Sequence, residues 1–214
     1  MNSVLIIDDH DIVRFGLETL IGYSRDLRLV GSVARLADGL TLIAERHPAL
    51  VISDISLEDS KGLETVRAVV EAQAPRPVLV ISMHDEMLYG EQVLGLGARG
   101  YVMKETAHSV VVQAALAVLR GETWVSPRLN AKLLQRLVQR GRPAPAGQPA
   151  EAVGTLTLRE LQVLEVLRTG KTTKEIAHQL GLSARTVDIH RANIKRKLGL
   201  RSGAELMAFA LSRA

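Results

Sequence analysis

Asp8 and Asp9 follow directly on the short apolar run Val4–Ile7, Asp54 ends the run Leu50–Ser53, Ser82 closes Val78–Ser82, and Lys104 comes just after Gly100–Val102. If those runs are parallel strands, five polar side chains converge on one sheet edge. Clustered carboxylates there repel one another unless a hard cation sits among them, and Mg²⁺ is satisfied by one or two carboxylates, a backbone carbonyl and waters. With Mg²⁺ on Asp9 and Asp54, and on Asp8 through water, the Asp54 carboxylate becomes an oxygen nucleophile toward phosphorus, and Lys104 and the Ser82 hydroxyl are placed to take phosphoryl oxygens. Singly, each Asp would be read as a turn or helix cap, Lys104 as a solvated charge and Ser82 as a turn hydroxyl. Five of them at matching strand ends carry the chemical reading.

The positioning elements are legible as alternation. Five apolar runs, with Leu29–Val33 as the second, alternate with helical patterns over about 120 residues, which predicts five βα units and a parallel sheet covered by helices on both faces. From Ser126 to Arg140, Leu129, Leu133, Leu134, Leu137 and Val138 have helical spacing, so a helix leads into the segment Gly141–Ala150. That segment has three prolines, two glycines and no branched aliphatic residue, and reads as an interdomain linker. Beyond it no strand pattern occurs. Thr157-x-x-Glu160, Thr172-x-x-Glu175 and Ser202-x-x-Glu205 have capping-box form and Ser183 marks a fourth start, predicting four short helices. The expected division is 1–122, a linker helix and linker over 123–154, and a helical domain over 155–214.

Composition narrows the partners. The net charge of +4 conceals −5 over residues 1–120 and +9 over residues 121–214, so the C-terminal part suits a polyanion. Six aromatics leave little for base-stacking platforms, which favours duplex DNA over single strands. Zero cysteine excludes disulfide scaffolds, thiolate zinc sites and thiol catalysis. No apolar run approaches the ~18 residues of a membrane span, and no cleavable signal pattern is present, so the expectation is a cytoplasmic protein with no membrane partner.

The helices starting at Thr172 and Ser183 are separated by Gly181-Leu182, the form of a helix-turn-helix in which Ile176, Ala177 and Leu180 face the core. Val187, Ile194 and Leu198 fall within about 40° of one another at 100° per residue, so that side of the second helix is buried. The opposite side holds Arg185, Ile189, Ala192 and Arg196, flanked by Asp188 and Lys195. Basic groups there suit phosphates, Ile189 and Ala192 suit thymine methyls, and Asp188 suits a cytosine amino group. In the last helix Leu206 and Ala210 lie at i, i+4 beside Met207 and Phe209, an apolar surplus read as a dimer surface.

Leu5-Ile-Ile-Asp-Asp-His10, Val51-Ile-Ser-Asp-Ile55, Ile81-Ser-Met-His-Asp85 and Gly97-Ala-Arg-Gly-Tyr-Val-Met-Lys-Glu105 resemble a response-regulator receiver domain. The resemblance implies a flavodoxin-like five-stranded sheet of order 2-1-3-4-5. It also implies phosphorylation of Asp54 by a sensor histidine kinase, Mg²⁺ at Asp8, Asp9, Asp54 and the Ser56 carbonyl, and a switch through Ser82, Tyr101 and Lys104. Leu156-Thr-Leu-Arg-Glu160, Lys174-Glu-Ile-Ala177, Ser183-x-Arg-Thr-Val187 and His190-Arg-Ala-Asn-Ile-Lys-Arg-Lys-Leu198 resemble the LuxR-type four-helix DNA-binding domain, and the whole chain is similar to the NarL/FixJ subfamily. That resemblance adds Thr173 and Lys174 to the DNA-contacting set. It implies promoter DNA and RNA polymerase as partners and a homodimer when phosphorylated. Two departures stand out. Glu58, followed by Asp59, replaces a proline usual four residues beyond the phosphorylated Asp, and both acids are expected to point to solvent. Asp188 occupies a position often basic.

Non-enzymatic regulation is the reading. An aspartyl-phosphate phosphatase would need an Asp two residues beyond the nucleophile, where Ser56 stands. A small-molecule-sensing LuxR-type activator would need an apolar pocket in place of the acidic cluster. A regulator of the same family whose DNA binding does not depend on phosphorylation is the remaining alternative.

Overall fold

Three strands of the N-terminal half are apolar on both faces, and this decides the architecture: β1 (Asn2–Ile7), β3 (Leu50–Asp54) and β6 (Val78–Ser82) are buried nearly throughout, as strands covered by helices on both sides must be. In the computed structural model, which describes residues 1–140 and 156–211, they form the centre of a five-stranded parallel sheet. β2 (Leu27–Val33) and β7 (Gly100–Met103) complete it in the order β2-β1-β3-β6-β7. The expected order is present, with a two-stranded hairpin, β4 (Ser56–Leu57) and β5 (Ser60–Lys61), inserted after the third sheet strand. The covering helices are α1 (Asp11–Tyr23), α2 (Leu36–Arg46), α3 (Leu63–Gln73), α4 (Glu86–Gly95) and α5 (Lys104–Leu119).

Register puts the chemistry at one edge. Ile7 pairs with Ser53, Asp54 with Ile81 and Ser82 with Met103, so the residues that end or follow these strands emerge side by side. The hairpin carries a surprise. Asp59 does not point freely into solvent: its carboxylate accepts from the N–H groups of Leu36 (2.9 Å) and Ala37 (3.2 Å). The N-cap residue of α2, Arg35, gives no side-chain cap, so Asp59 supplies one from 23 residues away. The Leu36 bond in particular holds its carboxyl below the usual range. Glu58 is exposed, as expected.

The chain divides into two units, Met1–Val138 and Gln139–Ala214. The helix expected to lead into the linker, α6 (Pro127–Arg140), lies with the first of them through Val138. Leu129 is fully buried there, and Trp124 bridges to Gly100 at the edge of β7. The Pro-rich segment Gly141–Ala150 lies outside the described residues.

The second unit is built from α7 (Leu158–Arg168), α8 (Thr173–Leu180), α9 (Ala184–Leu198) and α10 (Gly203–Leu211). Thr157/Glu160 and Thr172/Glu175 form complete capping boxes, and Ser183 caps α9 through Thr186 N–H. Ser202 accepts from Glu205 N–H, while the Glu205 carboxylate reaches back to Arg201 N–H. Ile176, Val187, Ile194 and Leu198 are buried as the periodicity requires, and Leu180 is half-buried. Leu206 and Ala210 correct the sequence reading: at 0% and 2% exposed, they are consumed by the domain's own core, with α10 packed on α7, and offer a partner nothing. A domain this small has to use every apolar face it has. Among the described residues no helix is long and apolar enough to cross a membrane.

Glu160 joins a cap to the core, since it also accepts from Lys197 Nζ at 2.7 Å. Burial works against its charge, but hydrogen bonds from Lys197 and Thr157 outweigh it and hold the carboxyl below its ordinary value of 4.5. A depressed folded pKa gives stability that is complete above the unfolded value and is lost as pH falls through the folded one. Glu160→Gln should therefore lower the stability of the helical domain by about 1 kcal/mol at pH 7, with the deficit shrinking below pH 4.5. Amide exchange along α7 in the full chain measures this. A deficit unchanged between pH 7 and pH 3.5 would deny Glu160 its charged role.

Candidate functional site

Lys104, the first residue of α5, projects across the carboxyl ends of the strands with its side chain only 1% exposed. Its ammonium lies 2.9 Å from Asp8 Oδ1, 2.8 Å from Asp8 Oδ2 and 2.7 Å from Asp54 Oδ2, bridging two carboxylates that burial would otherwise leave uncompensated. Asp54 Oδ1 accepts from the N–H groups of Ile55 (2.6 Å) and Ser56 (3.3 Å). Burial pushes the Asp54 carboxyl above its usual range. The Lys104 charge and hydrogen bond pull it down, the nearby Asp8 carboxylate adds to the rise, and the Ser56 N–H lowers it.

Asp9 stands at the rim. Its Oδ1 is 2.7 Å from His10 Nδ1, which also lies 3.2 Å from Lys104 Nζ. Asp8, Asp9, His10 and Asp54 each place a ligand atom within 4.8 Å of the others. Asp8 Oδ2 and Asp9 Oδ1 are buried, and their close approaches are the ion pairs with Lys104 and His10. Three carboxylates converging at this distance form the oxygen-rich donor set of a hard cation, so the residues present fit Mg²⁺.

The hydroxyl and aromatic residues meet at His84. Ser82, fully buried, accepts from His84 N–H at 3.1 Å, and the Tyr101 hydroxyl donates to the His84 carbonyl at 2.7 Å with its ring turned inward, 1% exposed. The His84 ring packs against Tyr89 and its Nε2 lies 3.0 Å from Ser56 Oγ.

In the helical domain the named face of α9 is open. Arg185, Asp188, Ala192 and Arg196 are exposed, Ile189 is 53% exposed, and Lys195 is half-buried. At the start of α8, Lys174 is exposed and Thr173 half-buried. Thr173 Oγ1 accepts from Arg191 at 2.7 Å and approaches Asp188 Oδ1 at 3.5 Å, tying the two helices at the base of that face.

Residues 4–116 match the response regulator receiver domain family, and residues 154–210 match the LuxR family of bacterial regulatory proteins. The chain is a two-component response regulator with a LuxR-type DNA-binding domain. The combination is that of the NarL/FixJ subfamily. The regulator is 36% identical over 206 residues to the transcriptional regulatory protein UhpA of Salmonella typhimurium, covering 96% of each chain. To the oxygen regulatory protein NreC of Staphylococcus carnosus it is 30% identical over 216 residues, covering 99% of this chain and 97% of that one. Among solved structures, a LuxR-family response regulator from Aurantimonas sp. SI85-9A1 superimposes with a TM-score of 0.58 at 28% identity, over 64% of this chain and 99% of that one. RcsB from Salmonella enterica serovar Typhimurium, bound to promoter rprA in the presence of phosphomimetic BeF3⁻, shares the fold with a TM-score of 0.65 at 22% identity, over 99% and 98% of the two chains.

The structure thus brings Asp8, Asp9, Asp54 and Lys104 into one cluster and joins Ser82 to Tyr101 through the His84 backbone. Sequence reasoning missed three residues in contact with these side chains, His10, His84 and Arg191. His10 follows the acidic pair and His84 lies two residues past Ser82, so proximity in sequence was an available signal for both. Arg191 had none, because its bond to Thr173 depends on the crossing of two helices.

Proposed function

We propose that Asp54 is the phosphoryl acceptor of this regulator, charged by a sensor histidine kinase with Mg²⁺ bound at Asp8, Asp9, Asp54 and the Ser56 carbonyl, and that phosphorylation promotes dimerisation and promoter binding. The observation that carries the reading is the buried Asp54 carboxylate, with Lys104 on one oxygen and two backbone N–H groups on the other. In the transfer an Asp54 oxygen bonds to phosphorus, the bond from phosphorus to the donor imidazole nitrogen breaks, and the imidazole leaves with the electron pair. Bound Mg²⁺ supplies charge neutralisation between the incoming phosphoryl group and the carboxylates. Lys104 follows the charge from carboxylate to phosphoryl oxygen, and the Ser82 hydroxyl turns from His84 N–H to the phosphoryl group.

The downstream reading rests on the open face of α9. Arg185, Lys195 and Arg196, with Lys174 from α8, meet phosphates. Ile189 and Ala192 approach thymine methyls, and Asp188 takes a cytosine amino group, steadied by Thr173. Two such domains on half-sites about one helical turn apart give useful affinity from small contacts. RcsB, of the same fold, is known as dimers bound to DNA. RNA polymerase is the further partner of a promoter-bound regulator.

Incubation with Mg²⁺ and acetyl phosphate should add one acid-labile phosphoryl group, lost in Asp54→Asn; undiminished incorporation by intact mass would place the chemistry on another residue. On DNA, Arg185→Ala and Arg196→Ala should weaken binding to all sequences, each lowering the slope of log K against log salt by about 0.9 for every phosphate the arginine neutralises. Asp188→Ala should relax specificity while keeping or raising nonspecific affinity. Gel shifts over a salt series in which Asp188→Ala loses both alike would contradict its place in the groove.

A further inference from the structure

His10 has no part in the phosphoryl chemistry described above, yet its ring leans over the acids that carry it. Its backbone N–H donates to Asp8 Oδ1 at 2.8 Å, and the Asp8 carbonyl accepts from the Arg14 guanidinium at 2.8 Å, so the junction of β1 and α1 is held by its own residues. His10 is the N-cap residue of α1 but gives that helix no side-chain hydrogen bond, which leaves the imidazole for the sheet edge. Its Nδ1 lies 2.7 Å from Asp9 Oδ1, 3.4 Å from Asp8 Oδ1, 3.7 Å from Asp54 Oδ2 and 3.2 Å from Lys104 Nζ.

No single protonation state of the ring satisfies that position. An imidazole nitrogen is a donor or an acceptor, never both. With a hydrogen on Nδ1 the ring suits Asp9 but faces the Lys104 ammonium; without it, Nδ1 accepts from Lys104 but turns a lone pair toward three carboxylates. A divalent cation among these groups removes the conflict, because the lone pair and the acid oxygens then all point at positive charge. The spacing suits one. Ligands at about 2.1 Å in an octahedral array stand about 3 Å from their neighbours, and the three acid oxygens lie 2.7, 3.4 and 3.7 Å from Nδ1. The His10 side chain is 54% exposed, so the ring stands at the mouth of the cluster, where an ion enters. The other histidine nearby is committed elsewhere: His84 Nε2 lies 3.0 Å from Ser56 Oγ, and that ring is not among the converging ligands.

We infer that His10 is a nitrogen ligand to the cation held by Asp8, Asp9 and Asp54, and that it turns this site toward divalent first-row transition ions such as Mn²⁺ and Co²⁺ in preference to Mg²⁺. The inference rests on the reading of those acids as a cation site and adds a ligand and a selectivity to it. Mg²⁺ is a hard ion that keeps its waters and takes oxygen, so the imidazole adds little to its binding. Transition ions accept imidazole readily, with affinity rising from Mn²⁺ through Co²⁺.

Electron spin echo envelope modulation of the untagged full chain loaded with Mn²⁺ reads nitrogen on the ion directly. Wild type should show the modulation of a bound imidazole nitrogen, His10→Gln should lose it, and His84→Gln should keep it. By calorimetry wild type should bind Co²⁺ more tightly than Mg²⁺, and His10→Gln should weaken Co²⁺ by about tenfold or more while changing Mg²⁺ by less than about twofold. Mn²⁺ bound without nitrogen modulation in wild type overturns the assignment of His10 and leaves the acids as the cation site. Modulation that persists in His10→Gln and vanishes in His84→Gln overturns it too, as does an equal loss of Co²⁺ and Mg²⁺ in His10→Gln. A wild-type protein that binds neither Mg²⁺ nor Mn²⁺ overturns both the ligand and the cation site on which it rests.

Discussion

Everything at the carboxyl edge of the sheet depends on one buried ammonium. Asp8 and Asp54 have side chains 0% and 3% exposed and stand close enough to share Lys104 Nζ. Removing one partner of such a buried set costs about 3–5 kcal/mol, because the charge left behind has neither water nor counterion. The fold accepts this arrangement because three parallel strands, each buried on both faces, deliver the acids in register, and α5 begins with the lysine. The site is therefore held in tension: burial raises the Asp54 carboxyl while Lys104 lowers it, and three carboxylates crowd one edge. The proposed cation and phosphoryl group would both relieve it.

Backbone contacts tie that edge to the elements around it. His84 is held by Ser82 through its N–H and by Tyr101 through its carbonyl, which fixes the backbone just before α4. The hairpin after Asp54 is pinned on its far side by Asp59 on the N-terminus of α2. In the second unit the division of labour is by helix face. Val187, Ile194 and Leu198 serve the core, and the exposed charges of α9 are left for a polyanion.

Features governed by local chemistry were legible in the sequence. The buried strands announced themselves as apolar runs ending in acid or hydroxyl, and the helix starts as Thr-x-x-Glu, because strand burial and capping act within a few residues. The cluster of Asp8, Asp9, Asp54 and Lys104 followed from topology alone. Periodicity, by contrast, shows that a face is apolar without naming its cover. It gave Leu206 and Ala210 as a surface for a partner, whereas α7 covers them. It gave a helix over 126–140 without its seat on α4, where Leu129 occupies the space that a side chain at Gly90 would fill. Asp59 was opaque for the same reason: its partners are 22 and 23 residues away.

Lys104 is thus the counterion that the buried acids need, whereas the proposed cation site is a property of the acids. Titration of Mg²⁺ into wild type, Asp9→Ala and Lys104→Ala, followed by calorimetry, separates the two duties. Asp9→Ala should weaken Mg²⁺ by about tenfold or more, whereas Lys104→Ala, which leaves two carboxylates without their ammonium, should bind it as well as wild type or better. Loss of the cation in Lys104→Ala as complete as in Asp9→Ala, in a protein whose sheet remains folded, would contradict that division.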